Sequence, residues 1–275
     1  MSLNTNIGNS TYNSLQTTLT QRYTHGFSGQ VSYVFSKNIG LTNERDLRNR
    51  QLSKGILSNN RTHILKFNGA WDLPFGTKGY LLRGAPVWLD KVVGGWTLSQ
   101  SMQWISGTPL SFTTANGTTG SRVTATANLV GTLSPGNVIE DNGFVQYFPG
   151  LKSVAAPFPT FASDTTTLQG KFTNKMIVDA SGNPVLTVAD PGKVGNLSQY
   201  LGGITGPSTL GFDLSMSKKV IFRESMSFTF RGDVINFLNH PVWGNPNTNI
   251  DSSSFGRITT AGGTRSVTLS ARFDF

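Results

Sequence analysis

The clearest pattern in the chain is the alternation of apolar and polar residues over positions 265–275. Apolar residues occupy one parity and polar residues the other, which predicts a strand with one apolar and one wet face. The apolar set is Val267, Leu269, Ala271, Phe273 and Phe275. Because chain ends fray unless something holds them, this strand is interpreted as the closing piece of a larger sheet.

Six further segments show the same period of two. They are residues 12–23, 27–36, 61–73, 94–106, 208–220 and 226–233. The first two flank Thr24-His25-Gly26, a glycine-containing turn that predicts a β-hairpin with a solvated His25. These segments have 8 to 13 residues, most of them ten or more, whereas a tilted membrane strand needs about 9–11 and a soluble strand averages about 5–6. The lengths therefore favour strands that cross a membrane.

The connections between these segments alternate between short and long. The first and fifth are tight turns, the third is moderate, and the second, fourth and sixth are long. Outer-membrane barrels have short turns at one rim and long loops at the other. The longest connection, residues 107–207, is interpreted as an exposed binding or gating loop, with a possible small hairpin at residues 176–188. Ligand selection is expected in residues 37–60, 107–207 and 239–263.

The two faces of the predicted strands carry different residues, as the wall of a membrane barrel would. Aromatic residues should lie near both membrane interfaces on the lipid-facing side; those expected there are Tyr33, Phe35, Trp71, Trp96 and Trp104. The charged residues expected to face the lumen are Arg22, Lys66, Asp72, Asp213, Arg231, Asp233 and Arg272. They could pair across neighbouring strands, contact a plug or simply hydrate the wall.

These patterns predict an all-β fold, a segment of an antiparallel transmembrane β-barrel. It should have about seven to eight long strands, short periplasmic turns and long extracellular loops. Seven strands leave the barrel incomplete, since bacterial single-chain barrels have even strand counts. An eighth strand within residues 107–207 or near the N-terminus would instead allow a small autonomous porin. A soluble β-sandwich that acts as a binding module or adhesin is the other alternative.

Composition narrows the classes of protein further. Charged residues make up 13% of the 275 positions, about half the usual share. The chain has no Cys, which excludes a disulfide framework and thiolate metal sites. The formal net charge is +9, with a basic cluster at Arg45, Arg48, Arg50, Lys54 and Arg61. No basic helix or RNA-binding motif accompanies that cluster, so we interpret it as a solvated loop and expect no nucleic-acid partner.

No arrangement of residues points to catalysis. Arg61-Thr62-His63 is interpreted as a hydrogen-bonding group at a strand start. Asp233 and His240 could in principle form a proteolytic pair, but they lack a third member. No metal cluster, phosphate loop or nucleophile elbow occurs. We therefore expect a protein that is not an enzyme and that needs neither a metal nor another cofactor.

Four blocks of sequence carry a resemblance to a known family. They are Ser58-Asn59-Asn60-Arg61-Thr62-His63 with Leu73-Pro74-Phe75-Gly76; Gly94-Gly95-Trp96 with Ser106-Gly107-Thr108-Pro109; Asp213-Leu214-Ser215 with Lys218; and Asn236-Phe237-Leu238-Asn239-His240-Pro241 with Gly244-Asn245-Pro246-Asn247 and Phe255-Gly256-Arg257-Ile258. The last block is the most specific. Together they resemble the C-terminal barrel part of TonB-dependent, Oar-like outer-membrane receptors, and the resemblance is weakest over residues 120–194.

The resemblance implies a barrel of about 22 strands closed by a plug, and energised transport across the outer membrane of a Gram-negative bacterium. We expect residues 1–275 to be the C-terminal part of one such barrel domain, without the plug and N-terminal domains. Contact with the TonB complex would then run only through those missing parts. The other expected partners are outer-membrane lipid and lipopolysaccharide, and an unknown ligand. The terminal residues Val267, Leu269, Phe273 and Phe275 resemble the signal read by the barrel-assembly machinery.

Overall fold

The computed structural model describes residues 8–41, 49–77, 79–114, 125–141, 143–156, 175–189, 193–223 and 226–275. Seven long strands form one antiparallel sheet, here called the wall sheet, in which neighbours in space are also neighbours in this numbering. They are β1 (Ser10–Thr24), β2 (Phe27–Leu41), β3 (His63–Asp72), β4 (Trp96–Ile105), β5 (Thr209–Arg223), β6 (Met226–Ile235) and β7 (Ser266–Asp274). All seven predicted strands are confirmed.

The strand register places the predicted apolar sets on one continuous face. In the middle of the sheet, Val31 lies beside Phe67, and Phe67 lies beside Met102. Met102 in turn lies beside Phe212. This face is uncovered, with Leu19 72% and Leu269 68% exposed. A soluble antiparallel sheet packs its apolar face on a core, whereas this face is presented outward.

Two glycines sit side by side on the apolar face, where larger residues would be expected. Gly29 of β2 pairs with Gly69 of β3. A Cβ built on Gly29 would lie 2.8 Å from the ring of Phe27, and one on Gly69 would lie 2.9 Å from the ring of Phe67. The two phenylalanine rings therefore cover the glycines, and Gln100, which pairs with Gly69, is a polar exception on this face.

The alternation over residues 12–23 gives Tyr23 the parity of Leu15 and Leu19 and so predicts it on the apolar face, and the structure shows that this is wrong. The register of β1 against β2 shifts between Gln21 and Thr24, which marks a β-bulge. The Tyr23 hydroxyl donates a 2.5 Å hydrogen bond to Asp72 on the polar face. One extra residue in the strand is enough to reverse the side to which the next side chain points.

The loop predicted from residue 37 begins later, because β2 continues to Leu41. The C-terminal end of β2 pairs on one side with β1 and on the other with a short strand, Lys54–Ile56. A 3-10 turn, Arg50–Ser53, precedes that short strand. Two members of the predicted solvated basic loop, Arg50 and Lys54, thus lie in these elements, whereas Arg45 and Arg48 lie outside the described residues.

The short connections lie at one end of the wall sheet, here called the short-turn rim. In the first, His25 and Gly26 have φ of 51° and 81°, the signs of a type I′ turn, whose twist matches that of a hairpin. The connection from β3 to β4 contains helix α1 (Val87–Val93). At seven residues α1 falls far short of a membrane-crossing helix, and no other helix in the described ranges qualifies.

The long connections meet at the opposite end, the long-loop rim, where they form a folded unit that we call the loop domain. It contains four small sheets of short strands. The first contains Lys152–Ala155, Lys175–Val178, Pro184–Thr187 and Asn128–Leu129, and the second contains Leu201–Thr205 and Pro109–Leu110. The third contains Val242–Trp243 and Ala261–Gly262, and the fourth contains Arg257–Ile258, Phe144–Gln146 and Ile139–Asp141. The interpretation of residues 107–207 as one loop is wrong, although the small hairpin predicted within it is confirmed.

The hydrophobic core of the protein lies in this loop domain and not in the wall sheet. Its buried members are Leu110, Phe112, Ala127, Tyr147, Phe148, Ile177, Val185, Leu186, Leu197, Ile204, Ile250, Phe255 and Ile258. All of them belong to the connections from β4 to β5 and from β6 to β7. The two parts of the molecule are therefore stabilised differently: strand pairing holds the wall together, and apolar burial holds the loop domain together.

Candidate functional site

The centre of the loop domain is a cluster of aromatic rings contributed by two separate connections. Phe112 and Phe148 come from the connection between β4 and β5, and Phe255 comes from that between β6 and β7. The Phe112 ring centroid lies 5.6 Å from that of Phe148 and 6.2 Å from that of Phe255. Phe112 is completely buried. These rings join the two connections into one body.

Backbone pairing joins the same two connections. Arg257–Ile258 pairs with Phe144–Gln146, and Thr113 forms a bridge with Asn249. The remaining long connection also reaches the domain, because a Cβ on Gly202 would collide with the side chain of Ile56. The three segments predicted to select a ligand therefore converge at one rim.

An open pocket of about 820 Å³ lies on the loop domain. Its charged lining residues are Glu140, Lys152, Lys175 and Arg257. Phe255 contributes an apolar surface. The Arg257 guanidinium lies 4.1 Å from the ring centroid of Phe144, a cation–π contact that orients it. Three cations and one carboxylate give the pocket a positive balance, which suits a polar ligand with negative charge.

Two ionisable groups in the loop domain have shifted pKa values. Burial raises the pKa of Tyr147, whose hydroxyl donates a 2.7 Å hydrogen bond to the carbonyl of Thr205. Hydrogen bonds from Asn183 and from the backbone of Ser181 and Gly182 lower the pKa of Asp179, in the turn of the small hairpin. Both shifts belong to groups that shape the domain, since neither residue lines the pocket.

The loop domain also contacts the wall sheet on its polar face. Val242, from the connection between β6 and β7, shares a cavity of about 360 Å³ with Ser101, Gln103 and Asp213 of the wall. These three residues occupy the polar face. At Val242 the loop domain therefore borders the polar side of the wall, which is the lumen side of a barrel.

The charged residues predicted to face the lumen all have the parity of the polar face, with Arg22 next to the bulge. Among the described residues, two ion pairs on this face join positions of the same strand: Arg231 contacts Asp233 at 2.8 Å, and Arg272 contacts Asp274 at 2.7 Å. Asp72 accepts hydrogen bonds from Tyr23 and from Thr97 at 2.7 Å. Asp213 accepts one from the backbone of Asn236. Lys66 lies beside Gln103 in the register.

The predicted interface aromatics lie on the apolar face near its two ends. Tyr33, Phe35 and Trp104 surround His63 close to the long-loop rim, with ring centroids 5.3–6.3 Å from that of His63. Trp71 and Trp96 lie close to the short-turn rim. Phe273 lies at the same rim and stacks with Phe275, which is 94% exposed. Val267 and Leu269 complete this face on β7.

The interpretation of Arg61-Thr62-His63 as a hydrogen-bonding group is confirmed. The Arg61 guanidinium donates to the backbone carbonyl of Ser106 at 2.8 Å, and the backbone N–H of His63 donates to the side-chain hydroxyl of Ser106 at 3.0 Å. Asp233 is bound by Arg231 and lies in the strand, so the structure gives no support for a pair with His240. Among the described residues, no three His, Cys, Asp or Glu side chains gather as a metal site requires.

Sequence reasoning identified the motif at residues 236–241 but missed its structural role. Asn236 is 7% exposed and has a φ of 51°. Its amide nitrogen donates to the carbonyls of His240 and Gly263, and its amide oxygen accepts from the backbone of His240. Asparagine tolerates positive φ better than most residues do. Asn236 therefore fixes the point at which the chain leaves β6 for the loop domain.

Replacing Asn236 with alanine is expected to destabilise this connection by about 2–4 kcal/mol, because it removes three hydrogen bonds and an asparagine suited to positive φ. Hydrogen exchange of residues 237–263 is the measurement, and exchange there should accelerate. Asn239→Ala is the matched control, since Asn239 shares the positive φ of 52° and should cost only about 1 kcal/mol. Equal exchange in the two variants would contradict the role given to the Asn236 side chain.

Comparison with known proteins agrees with this geometry. The family described as an outer membrane beta barrel domain matches residues 1–268. No curated protein and no solved structure matches the chain significantly. The family match favours neither the soluble β-sandwich nor the small autonomous porin. The chain therefore belongs to the outer membrane beta barrel domain family, and its place in the cell is the outer membrane.

Proposed function

We propose that this chain is the C-terminal barrel part of a TonB-dependent, Oar-like receptor, which forms barrel wall and presents ligand-facing loops. The observation that carries the proposal is the loop domain: two long connections share its core, the third contacts it where Ile56 meets Gly202, and its residue Val242 borders the polar face of the wall. A receptor needs such an arrangement, because a ligand must be held at the outer rim before it enters the lumen. In this proposal the protein binds and passes its ligand without chemical change.

The open sheet supports a larger barrel. With seven antiparallel strands, β1 and β7 run in the same direction, and within the described residues each is paired on one side only. Direct closure of β7 on β1 would be parallel, whereas barrels of this kind are antiparallel throughout. Closing the wall requires an odd number of additional strands, which a longer receptor would supply together with the plug and the contact to the TonB complex.

The size of the native polypeptide tests this proposal. An antibody raised against residues 265–275 should detect, in outer-membrane fractions, a protein much larger than the 29.7 kDa of this chain. The same protein should crosslink to TonB in living cells. A single band at the size of this chain, without a TonB crosslink, would contradict the proposal and leave only an outer-membrane barrel protein of another kind.

We further propose that the barrel-assembly machinery recognises the apolar end of β7 and Phe275. Removing Phe275 from the native protein should lower its level in the outer membrane severalfold, because this fully accessible ring is the last residue of the apolar series. Quantitative immunoblotting of membrane fractions is the measurement. Phe275→Tyr, which keeps an aromatic ring, should assemble normally; an unchanged level after deletion would remove Phe275 from this role.

A further inference from the structure

The connection between β3 and β4 at the short-turn rim has its apolar residues on the outside. Helix α1 turns Leu89, Asp90 and Val93 toward the protein, where they are partly covered. Its other side exposes Val87 by 74% and Trp88 by 68%, with Val92 one turn further on. A helix that rests on a protein in water has the opposite arrangement. Within the part of the chain that the structure describes, Val87, Trp88 and Val92 therefore form an exposed apolar surface.

The residues before α1 extend the same surface. Tyr80, Leu81 and Leu82 are each more than half exposed. Leu82 also has a φ of 62°, a conformation that leucine rarely adopts. Cations accompany these residues: Lys91 is exposed, and the Arg83 guanidinium lies 5.4 Å from the Tyr80 ring centroid. Apolar side chains with Trp, Tyr and flanking cations are typical of segments that lie in a membrane interface.

Lys218 fixes this segment to the lipid-facing side of the wall. It lies on the apolar face, where it pairs with Trp96 and Phe230, yet it is only 8% exposed. Its ammonium donates to the carbonyls of Val92 and Gly94 at the end of α1. The Trp96 indole also donates to the Val92 carbonyl, at 3.0 Å. The apolar face of the wall is thus continuous with the exposed surface of residues 79–93.

We propose that residues 79–93 lie in the headgroup region of the inner, periplasmic leaflet and bind its phospholipids. The short turns of such barrels face the periplasm, which places this surface at that leaflet. Trp88, Val87 and Leu81 enter the acyl boundary, while Arg83 and Lys91 contact lipid phosphates. The inference rests on the family membership of the chain and not on the proposed receptor function.

Fluorescent labelling at single cysteines tests the inference, since the chain contains no cysteine. The native full-length protein, with any cysteine outside these 275 residues replaced by serine, is reconstituted into vesicles of phosphatidylethanolamine and phosphatidylglycerol and labelled with bimane at Val87→Cys or Trp88→Cys. Nitroxide lipids with the quencher near the headgroup should quench these labels about threefold more strongly than a label at Ser181→Cys. Ser181 is the control because it lies in an exposed turn of the loop domain.

The second part of the experiment tests the contribution of lipid charge. Arg83→Glu together with Lys91→Glu should weaken quenching at position 88, most clearly in vesicles rich in phosphatidylglycerol. A shielded label at position 87 or 88 that nitroxide lipids fail to quench would show that protein covers the surface. Labels exposed to water at both positions would equally overturn the proposal.

Discussion

Replacing Met102 with arginine is expected to destabilise the protein in a lipid bilayer by about 2–4 kcal/mol, the range for arginine on the lipid face near the midplane of a barrel. Met102 lies in β4 beside Phe67, near the middle of β3, and beside Phe212 of β5. The introduced guanidinium would either lose its hydration in the hydrocarbon core or draw water and lipid headgroups into the bilayer, and both cost free energy. Unfolding by guanidinium chloride in phospholipid vesicles measures the difference.

Ser101→Arg is the matched control, one residue away on the opposite face. Ser101 donates a 2.9 Å hydrogen bond to Asn68 and lies beside Asp213 in the register. The new arginine would lose that hydrogen bond but would gain a nearby carboxylate and stay in water, so we expect a change within about 1 kcal/mol. If the two variants lost equal stability, the assignment of the faces to lipid and lumen would be wrong.

Replacing Phe112 with alanine is expected to cost the loop domain about 3–5 kcal/mol. The side chain is completely buried, and its ring packs on Phe148 and Phe255 from two different connections. The cavity would therefore weaken both the core and the joint between the connections. Because the wall sheet does not share this core, its strands should remain paired while the domain becomes susceptible to proteolysis.

Pulse proteolysis of the membrane-embedded protein separates these effects. In the Phe112→Ala variant, cleavage should rise sharply within residues 107–207 and 239–263, with the seven strands still protected. Phe144→Ala serves as the control: Phe144 is exposed and contacts Arg257, so its loss should cost about 1 kcal/mol or less. Simultaneous cleavage of wall and domain would show that the two are one cooperative unit.

The sequence was sufficient to predict the wall sheet because each strand carries its own signal. A period of two fixes which side chains share a face, and the register then follows from matching apolar sets. The terminal strand shows this well: Val267 and Leu269 lie beside Val234 and Gly232 of β6, on the apolar face. The alternation of short and long connections likewise predicted one rim with short turns and one with long loops.

The loop domain could not be predicted in the same way, since its order arises from contacts between distant segments. Phe112 and Phe255 are 143 positions apart in the sequence numbering, yet they share one cluster. Its strands have only two to five residues, too short for a periodic signal. The bulge that turns Tyr23 toward Asp72 was missed for a related reason, because one inserted residue leaves no mark in the composition of a strand.

Spin-label accessibility along β4 tests the central claim most directly. Single cysteines at residues 98 to 103, in a chain that has no native cysteine, are labelled in the protein embedded in bilayers. At Leu98, Gln100 and Met102, collision with oxygen should exceed collision with a water-soluble nickel chelate, and Ser99, Ser101 and Gln103 should show the reverse. A strict alternation is the result expected for a wall with lipid on one side and water on the other. Uniform accessibility at all six positions would contradict that account.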